Sequence, residues 1–274
     1  MKSFDALPAE LRQKLAAARE SIASLRRVVV AFSGGVDSTF LLALAADVLG
    51  RENVLAATGV SSSLAQREHS ECVTLARQIG VELVEVTTCE MNNPQYAENP
   101  PDRCFHCKSE LFQRLAEVGA LRGFEAVAAG VNADDSGDWR PGIKAGRELG
   151  VAYPLMDAGL TKADIRKASQ AMGLKTWNKP AMACLASRVP YGEKLTPERL
   201  GRIERAEYLL KDLGFIQCRV RDHERIARIE LPVEAMGLVM QSREAIVDGL
   251  KNLGYTYVTL DLQGFRSGSM NEVL

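Results

Sequence analysis

The stretch "RRVVVAFSGGVDSTFLLALAADVL", residues 26–49, decides the fold. Its opening is a short β-branched run, the pattern of a strand buried on both faces. From about Asp37 to Leu49 it turns apolar and helix-forming. Between the two stand Ser33, Gly34, Gly35, Asp37 and Ser38. Outward from this point the same alternation repeats. "NVLAATGV" reads as a second strand, "LAQREHSECVTLARQIG" as a helix and "VELVEVTT" as a third strand. An Asn- and Pro-rich loop ("CEMNNPQYAENPPDR") leads to a helix opened by Cys107, and "FEAVAAGVN" makes a fourth strand. Parallel strands need crossover connections, so the pattern predicts an α/β fold built on a doubly wound parallel sheet. Upstream, Leu7, Leu11, Leu15, Ile22 and Leu25 recur at helical spacing over residues 7–25.

The alternation weakens after "VAYPLM". "TKADIRKASQAMG" reads as a helix with a Thr cap and an Asp at its third position. Residues 174–195 form a long Pro-containing segment, and long ordered loops in compact domains usually carry function. "TPERLGRIERAEYLLKDLG" is a capped helix ended by Gly214. Two short strands ("CRVRDH", "IARIEL"), a helix over 233–250 and a last strand ("YTYVTLDL") complete an α+β tail. The reading divides the chain into residues 1–190 and a smaller domain of residues 191–274.

The chain has 274 residues, 46% apolar and 25% charged, with a net charge of −1, so it offers no bulk attraction to nucleic acid or an anionic membrane. "MKSFDALPAELRQKL" carries no apolar leader core, and no apolar run approaches the ~20 residues of a membrane span. The expectation is a cytoplasmic protein. In a reducing compartment its six cysteines point to metal binding or catalysis before disulfides.

The glycine-rich turn is an anion site in waiting. Gly34 and Gly35 allow close backbone approach, and free amides plus the helix dipole favour negative charge. Ser33 and Ser38 add hydroxyl donors. Asp37 repels phosphate unless it caps the helix or holds Mg²⁺. The turn lacks a Walker A lysine and the third glycine of a dinucleotide fingerprint. Its S-G-G-x-D-S string resembles the PP-loop of ATP-using adenylating enzymes such as GMP and NAD synthetases and tRNA thiolation enzymes. "GVNADDSGDWRPG" follows the fourth strand, at the edge where α/β ligands bind. There Asn132, Asp134 and Asp135 are candidates for Mg²⁺ or ribose, Arg140 for phosphate and Trp139 for stacking, although such acidic turns are commonly just solvated.

Cys104 and Cys107 form a C-x-x-C in "DRCFHCKSELF", and Cys184 stands in "NKPAMACLASRVPYG" with Ser187 and Arg188 behind it. A nearby Arg favours the thiolate needed for nucleophilic or metal duty. Cys72 and Cys218 read as small buried hydrophobes, and Cys89 is undecided. The spacing alone leaves open a Cys104–Cys107 disulfide, zinc with His106 as fourth ligand, a 4Fe–4S cluster on three cysteines, or a reactive Cys184 acting alone. Arg219 and Arg221 alternate on one strand face, suited to bidentate phosphate binding or simply solvated, and Glu207 reads as a surface residue. His69, His106 and His223 show no triad or ligand spacing.

Taken in order, "AFSGGVDSTFLL", "RCFHCKSELF", "GVNADD", "RPGIKA", "KPAMACLASRVPYG" and "GFRSGSMNE" resemble the ATP-dependent sulfur transferases of nickel-pincer cofactor synthesis, the LarE family. The resemblance runs nearly the whole length. It implies a PP-loop ATP-pyrophosphatase domain followed by a substrate-phosphate and oligomerisation domain. It implies adenylation of a carboxylate of pyridinium-3,5-biscarboxylic acid mononucleotide and displacement of AMP by sulfur. By the same resemblance Ser33, Gly34, Gly35, Asp37, Ser38 and Asn132 bind ATP with Mg²⁺. Ser187, Arg188, Arg219 and Arg221 bind substrate, and Cys184, Asp37 and Arg188 carry the chemistry. Some members surrender the sulfur of the loop cysteine. Others carry a C-x-x-C as well and resemble cluster-dependent thiolases, so Cys104, Cys107 and Cys184 are expected to hold a 4Fe–4S cluster. A sulfur donor protein or free sulfide and a homo-oligomer, a hexamer by resemblance, follow as expected partners. The rival readings are a tRNA thiolation enzyme, an ammonia-using synthetase with no need of Cys184, an ATP-binding protein with structural zinc, and Cys184 as a sacrificial donor without a cluster.

Overall fold

The computed structural model describes residues 4–137, 140–180 and 182–266, together with Ser269 and Glu272. Chain contacts divide it into two compact units, residues 1–90 with 104–182, and residues 91–103 with 183–274. The first unit opens with α1 (Ala9–Ser24), β1 (Val28–Ala31), α2 (Val36–Leu49), β2 (Val54–Val60), α3 (Gln66–Ile79) and β3 (Glu82–Thr87). A short α4 (Pro94–Ala97) lies in the segment that belongs to the second unit. Then come α5 (Arg103–Leu121), β4 (Ala126–Ala129), α6 (Pro141–Glu148), α7 (Pro154–Asp157) and α8 (Lys162–Ala171).

The four strands pair in parallel in the order β3-β2-β1-β4, with Val28 opposite both Val54 and Ala126. Alternate residues of β1 serve two cores, as a doubly covered sheet requires. Val28 and Val30 pack with Leu11, Leu15 and Ile22 of α1 and with Phe40 and Leu44 of α2. Val29 packs on the other face with Leu55, Phe112 and Leu115. Helix α2 is buried from Val36 to Ala45 apart from Asp37, which explains its almost wholly apolar sequence. Beyond β4, Ala152 of "VAYPLM" makes a single parallel bridge to Ala128.

The second unit contains α9 (Pro197–Asp212), β5 (Arg219–His223), β6 (Ile226–Glu230), α10 (Met236–Gln241), α11 (Arg243–Asn252) and β7 (Tyr257–Leu260). Its sheet runs β5-β6-β7, antiparallel then parallel. Val220, Ala227 and Ile229 meet Ala206, Leu210, Ile246 and Leu250 in a separate core. The helix expected over 233–250 is two helices, broken at Ser242. The helix expected to open at Cys107 opens at Arg103, which puts Cys104 in its first turn and Cys107 just after it.

Candidate nucleotide site and cysteine segments

The chain steps from β1 through β2 to β3 on one side and sets β4 on the other side of β1. The carboxyl ends of β1 and β4 therefore flank the switch point where open α/β sheets bind ligands. Ser33–Ser38 leaves β1 there, and Gly130–Asp135 leaves β4 beside it. The two turns touch because residue 130 is glycine: a Cβ on it would lie 2.6 Å from Ser38 N. Gly34 has φ +67°, and a Cβ on it would lie 2.9 Å from Cys72 Sγ on α3. Glycine thus satisfies both the backbone conformation and the packing at this turn.

Gly35 caps α2 without a side-chain acceptor, which leaves the first-turn amides for an anion. Ser38 Oγ accepts from Ser33 N at 3.3 Å, donates to Gly35 O at 3.3 Å and lies 3.1 Å from Ser33 Oγ, which shapes the turn. Asp37 Oδ2 accepts from Lys162 Nζ at 2.7 Å and from Asn132 Nδ2 at 3.3 Å. Its other oxygen, Oδ1, is buried with no hydrogen-bond partner among the described residues. The carboxylate is therefore partly neutralised by Lys162 and has an unused oxygen for a hard cation.

The turn after β4 is built rather than merely solvated. Asn132 is buried and donates through Nδ2 to Asp135 Oδ2 at 2.8 Å, while Asp134 N donates to Asn132 Oδ1 at 3.0 Å. Asp134 Oδ2 accepts from Lys162 N at 2.8 Å. Arg140, a phosphate candidate by sequence, pairs with Asp135 at 2.9 Å. Trp139 lies outside the described residues. Sequence reasoning missed two lysines at this turn. Lys162 reaches Asp37, and Lys179 donates to Gly34 O at 3.0 Å and to Glu71 Oε2 at 2.7 Å. Both come from remote stretches, and only "KP" at the head of the cysteine loop hinted at either.

In the second unit Glu207 corrects its reading as a surface residue: it is 3% exposed. Its Oε1 and Oε2 accept from Arg188 Nε and Nη2 at 2.8 and 3.1 Å, and Oε1 also accepts from Val220 N at 3.2 Å. Burial works to raise the Glu207 carboxyl, but the Arg188 guanidinium prevails and holds it below the ordinary glutamate range. Arg188 also donates through Nη1 to the carbonyls of Ala183 and Cys184 at 2.6 and 3.0 Å. The cysteine loop thereby gains a fixed shape. Ser187 adds Oγ to Cys184 O at 2.8 Å.

Arg219 and Arg221, read as a substrate-phosphate pair or a solvated face, are both buried, at 9% and 5% exposure, so the solvated reading is set aside. Arg221 donates to Ser187 O at 2.7 Å, Glu230 Oε2 at 2.7 Å and Ser269 Oγ at 2.8 Å. Arg219 lies over the Phe265 ring at 5.3 Å, and burial, followed by repulsion from Arg188, lowers its pKa. Buried carboxylates balance two of these buried cations, Glu207 for Arg188 and Glu230 for Arg221, so the arginines brace the cysteine loop as ion pairs.

Among the described residues none of the six cysteines is in a disulfide. Cys72 and Cys218 are buried as expected, and burial pushes their thiols up to about 11 and about 12. Cys89 is exposed, and its amide donates to Glu110. Cys104 and Cys107, half-buried and three residues apart on α5, share one helix face. They belong to the first unit, and Cys184, exposed, belongs to the second. Among the described residues no group of three or more His, Cys, Asp or Glu side chains is arranged to hold a metal ion. No helix among them is long and apolar enough to cross a membrane.

Comparison with known proteins agrees with this arrangement. Residues 8–101, which contain the PP-loop, match the NAD synthase family model. The chain is 45% identical over 266 residues to an uncharacterised protein of Synechocystis sp., covering 96% of this chain and 99% of that one. It is 40% identical over 266 residues to the pyridinium-3,5-bisthiocarboxylic acid mononucleotide synthase of Lactiplantibacillus plantarum, covering 97% of this chain and 96% of that one. A third relative, an uncharacterised protein of Methanocaldococcus jannaschii, is 25% identical over 242 residues, 88% of this chain and 92% of its own length. With a PP-loop at the switch point of a parallel sheet and a relative of known product matched from end to end, the chain belongs to the LarE family of PP-loop ATP-dependent sulfur transferases.

Proposed function

We propose that this enzyme adenylates a carboxylate of pyridinium-3,5-biscarboxylic acid mononucleotide and replaces AMP with sulfur, in nickel-pincer cofactor synthesis of the kind that serves lactate racemase. The observation that carries the reading is the 40% identity over 266 residues to a synthase named for the bisthiocarboxylate product. A carboxylate resists attack because its oxygen leaves poorly. Attack of that oxygen on the α-phosphorus of ATP expels pyrophosphate and gives an acyl adenylate whose leaving group is AMP. The amides of Gly34 and Gly35, the first turn of α2, and the hydroxyls of Ser33 and Ser38 stabilise the departing pyrophosphate. Asp37, through its unpartnered Oδ1, and Asn132 hold Mg²⁺ and the nucleotide. Arg219 and Arg221 receive the substrate phosphate, and Ser187 and Arg188 position the acyl adenylate. A sulfur nucleophile then attacks the acyl carbon, and the C–O bond to AMP breaks.

For the sulfur source we infer a 4Fe–4S cluster on Cys104, Cys107 and Cys184. The donor chemistry fits: three soft thiols, two of them on one helix face and one exposed on a shaped loop. Such a cluster would supply renewable sulfide as the nucleophile, delivered by a donor protein or free sulfide, in a homo-oligomer that is a hexamer by resemblance. The exposure of Cys184 also suits the second reading, in which its own sulfur is surrendered. Anaerobic purification with iron and sulfide analysis separates the two. The expected result is about four iron per chain in the wild type and loss of iron in Cys104→Ala. Zinc without iron would overturn the cluster and return Cys184 to the donor role.

A further inference from the structure

Lys179 holds the PP-loop from behind. Its ammonium, 15% exposed, bridges Gly34 O at 3.0 Å and Glu71 Oε2 at 2.7 Å. Glu71 lies on α3, and so does Cys72, whose Sγ is 2.9 Å from where a Gly34 Cβ would sit. The backbone that carries Lys179 is itself fastened. Arg166 of α8 donates to Trp177 O at 3.1 Å and to Lys179 O at 3.0 Å. The ammonium therefore stands on the α3 side of the turn, on a fixed base.

The Gly34–Gly35 peptide is trans, so its C=O and N–H point in opposite directions. A cation that fixes Gly34 O toward α3 turns Gly35 N–H the other way, away from the ammonium and α3. It also withdraws electrons through the amide, which makes that N–H a better donor. Two flanking glycines resist peptide rotation weakly, so the orientation needs such a restraint. We propose that Lys179 is a positioning residue for pyrophosphate: it presets the Gly35 amide for the leaving anion without touching it. The proposal rests on the ATP-site reading above and adds to it a residue that acts through the loop.

The test is calorimetric binding of inorganic pyrophosphate and AMP, with the KM for ATP, on the full chain and its Lys179→Met, Lys179→Arg, Glu71→Gln and Ser38→Ala variants. Lys179→Met is expected to weaken pyrophosphate binding and raise the KM for ATP about tenfold, the size of one charge-assisted hydrogen bond. AMP affinity should stay unchanged, and Lys179→Arg should restore most of the loss. Glu71→Gln should weaken pyrophosphate more mildly, because the ammonium loses its anchor. Tighter pyrophosphate binding in Glu71→Gln would mean that the ammonium reaches the anion directly, and the proposal fails. It also fails if Lys179→Met weakens AMP equally, or leaves pyrophosphate unchanged while Ser38→Ala weakens it. Were the wild type to bind neither ATP nor pyrophosphate, the ATP-site reading would fall first.

Discussion

At the residue scale, Glu207 shows how a charge becomes structural. A glutamate on an amphipathic helix reads as solvated because isolated buried carboxylates are costly. Here three donors meet it, two from Arg188 and one from the Val220 amide, and they tie the cysteine loop to β5 within the second unit. Glu207→Gln keeps the shape and leaves Arg188 buried without its counter-charge. The expected cost is about 3–5 kcal/mol in denaturant unfolding, as for other broken buried pairs. The pH dependence has a definite sign. Because the folded carboxyl sits below its ordinary range, its stabilisation is complete above that range and is lost as pH falls through the folded value. Acid titration of unfolding should show a slope below about pH 4.3 that Glu207→Gln reduces. An unchanged slope, or a variant as stable as wild type, would show that the pair does not couple loop to strand.

At the element scale, the helix ends govern the nucleotide site. Helix α8 starts with a capping box: Thr161 Oγ1 accepts from Asp164 N at 3.2 Å, and Asp164 Oδ2 accepts from Thr161 N at 3.2 Å. This cap fixes the residue that follows it, Lys162, whose ammonium neutralises Asp37. Thr161→Ala should cost about 1 kcal/mol of stability and, by loosening Lys162, raise the Mg²⁺ or ATP concentration needed for pyrophosphate release. Thermal melts and an assay at varied nucleotide concentration read the two effects separately. A melting change with unaltered nucleotide dependence would confine the cap to stability. The sequence made this helix and its cap legible, because capping signals are local. The four parallel strands were legible for the same reason, each being a short apolar run between turn residues. The lysines were not. Lys162 meets Asp37 across 125 residues, and Lys179 meets Gly34 across 145, separations that no local pattern encodes. Nor did spacing show that residues 91–103 join the second unit. There Asn99 donates to Val189 O at 3.2 Å and Pro190 O at 2.7 Å, which clamps the end of the cysteine loop.

At the scale of the whole molecule, the question is whether a chain survives its own reaction. If Cys184 is the donor, its Sγ bonds to the acyl carbon as AMP leaves. The Cα proton is then lost and the Cβ–Sγ bond breaks, so sulfur departs with the substrate and residue 184 becomes dehydroalanine. One chain then serves one carboxylate, and two chains are spent on each bisthiocarboxylate. If sulfide is renewed on a site that includes Cys104 and Cys107, the chain is preserved and the yield follows the sulfide supplied. The presence of both cysteine pieces in one chain favours the second economy. Under anaerobic conditions with excess ATP and sulfide, the wild type should form more than one thiocarboxylate per chain and keep its mass. Cys104→Ala should lose that excess, and Cys184→Ala should form no product. A wild type that stops at one sulfur per chain, its mass short by one H₂S however much sulfide is added, would mean that the enzyme is consumed and that the C-x-x-C serves another purpose.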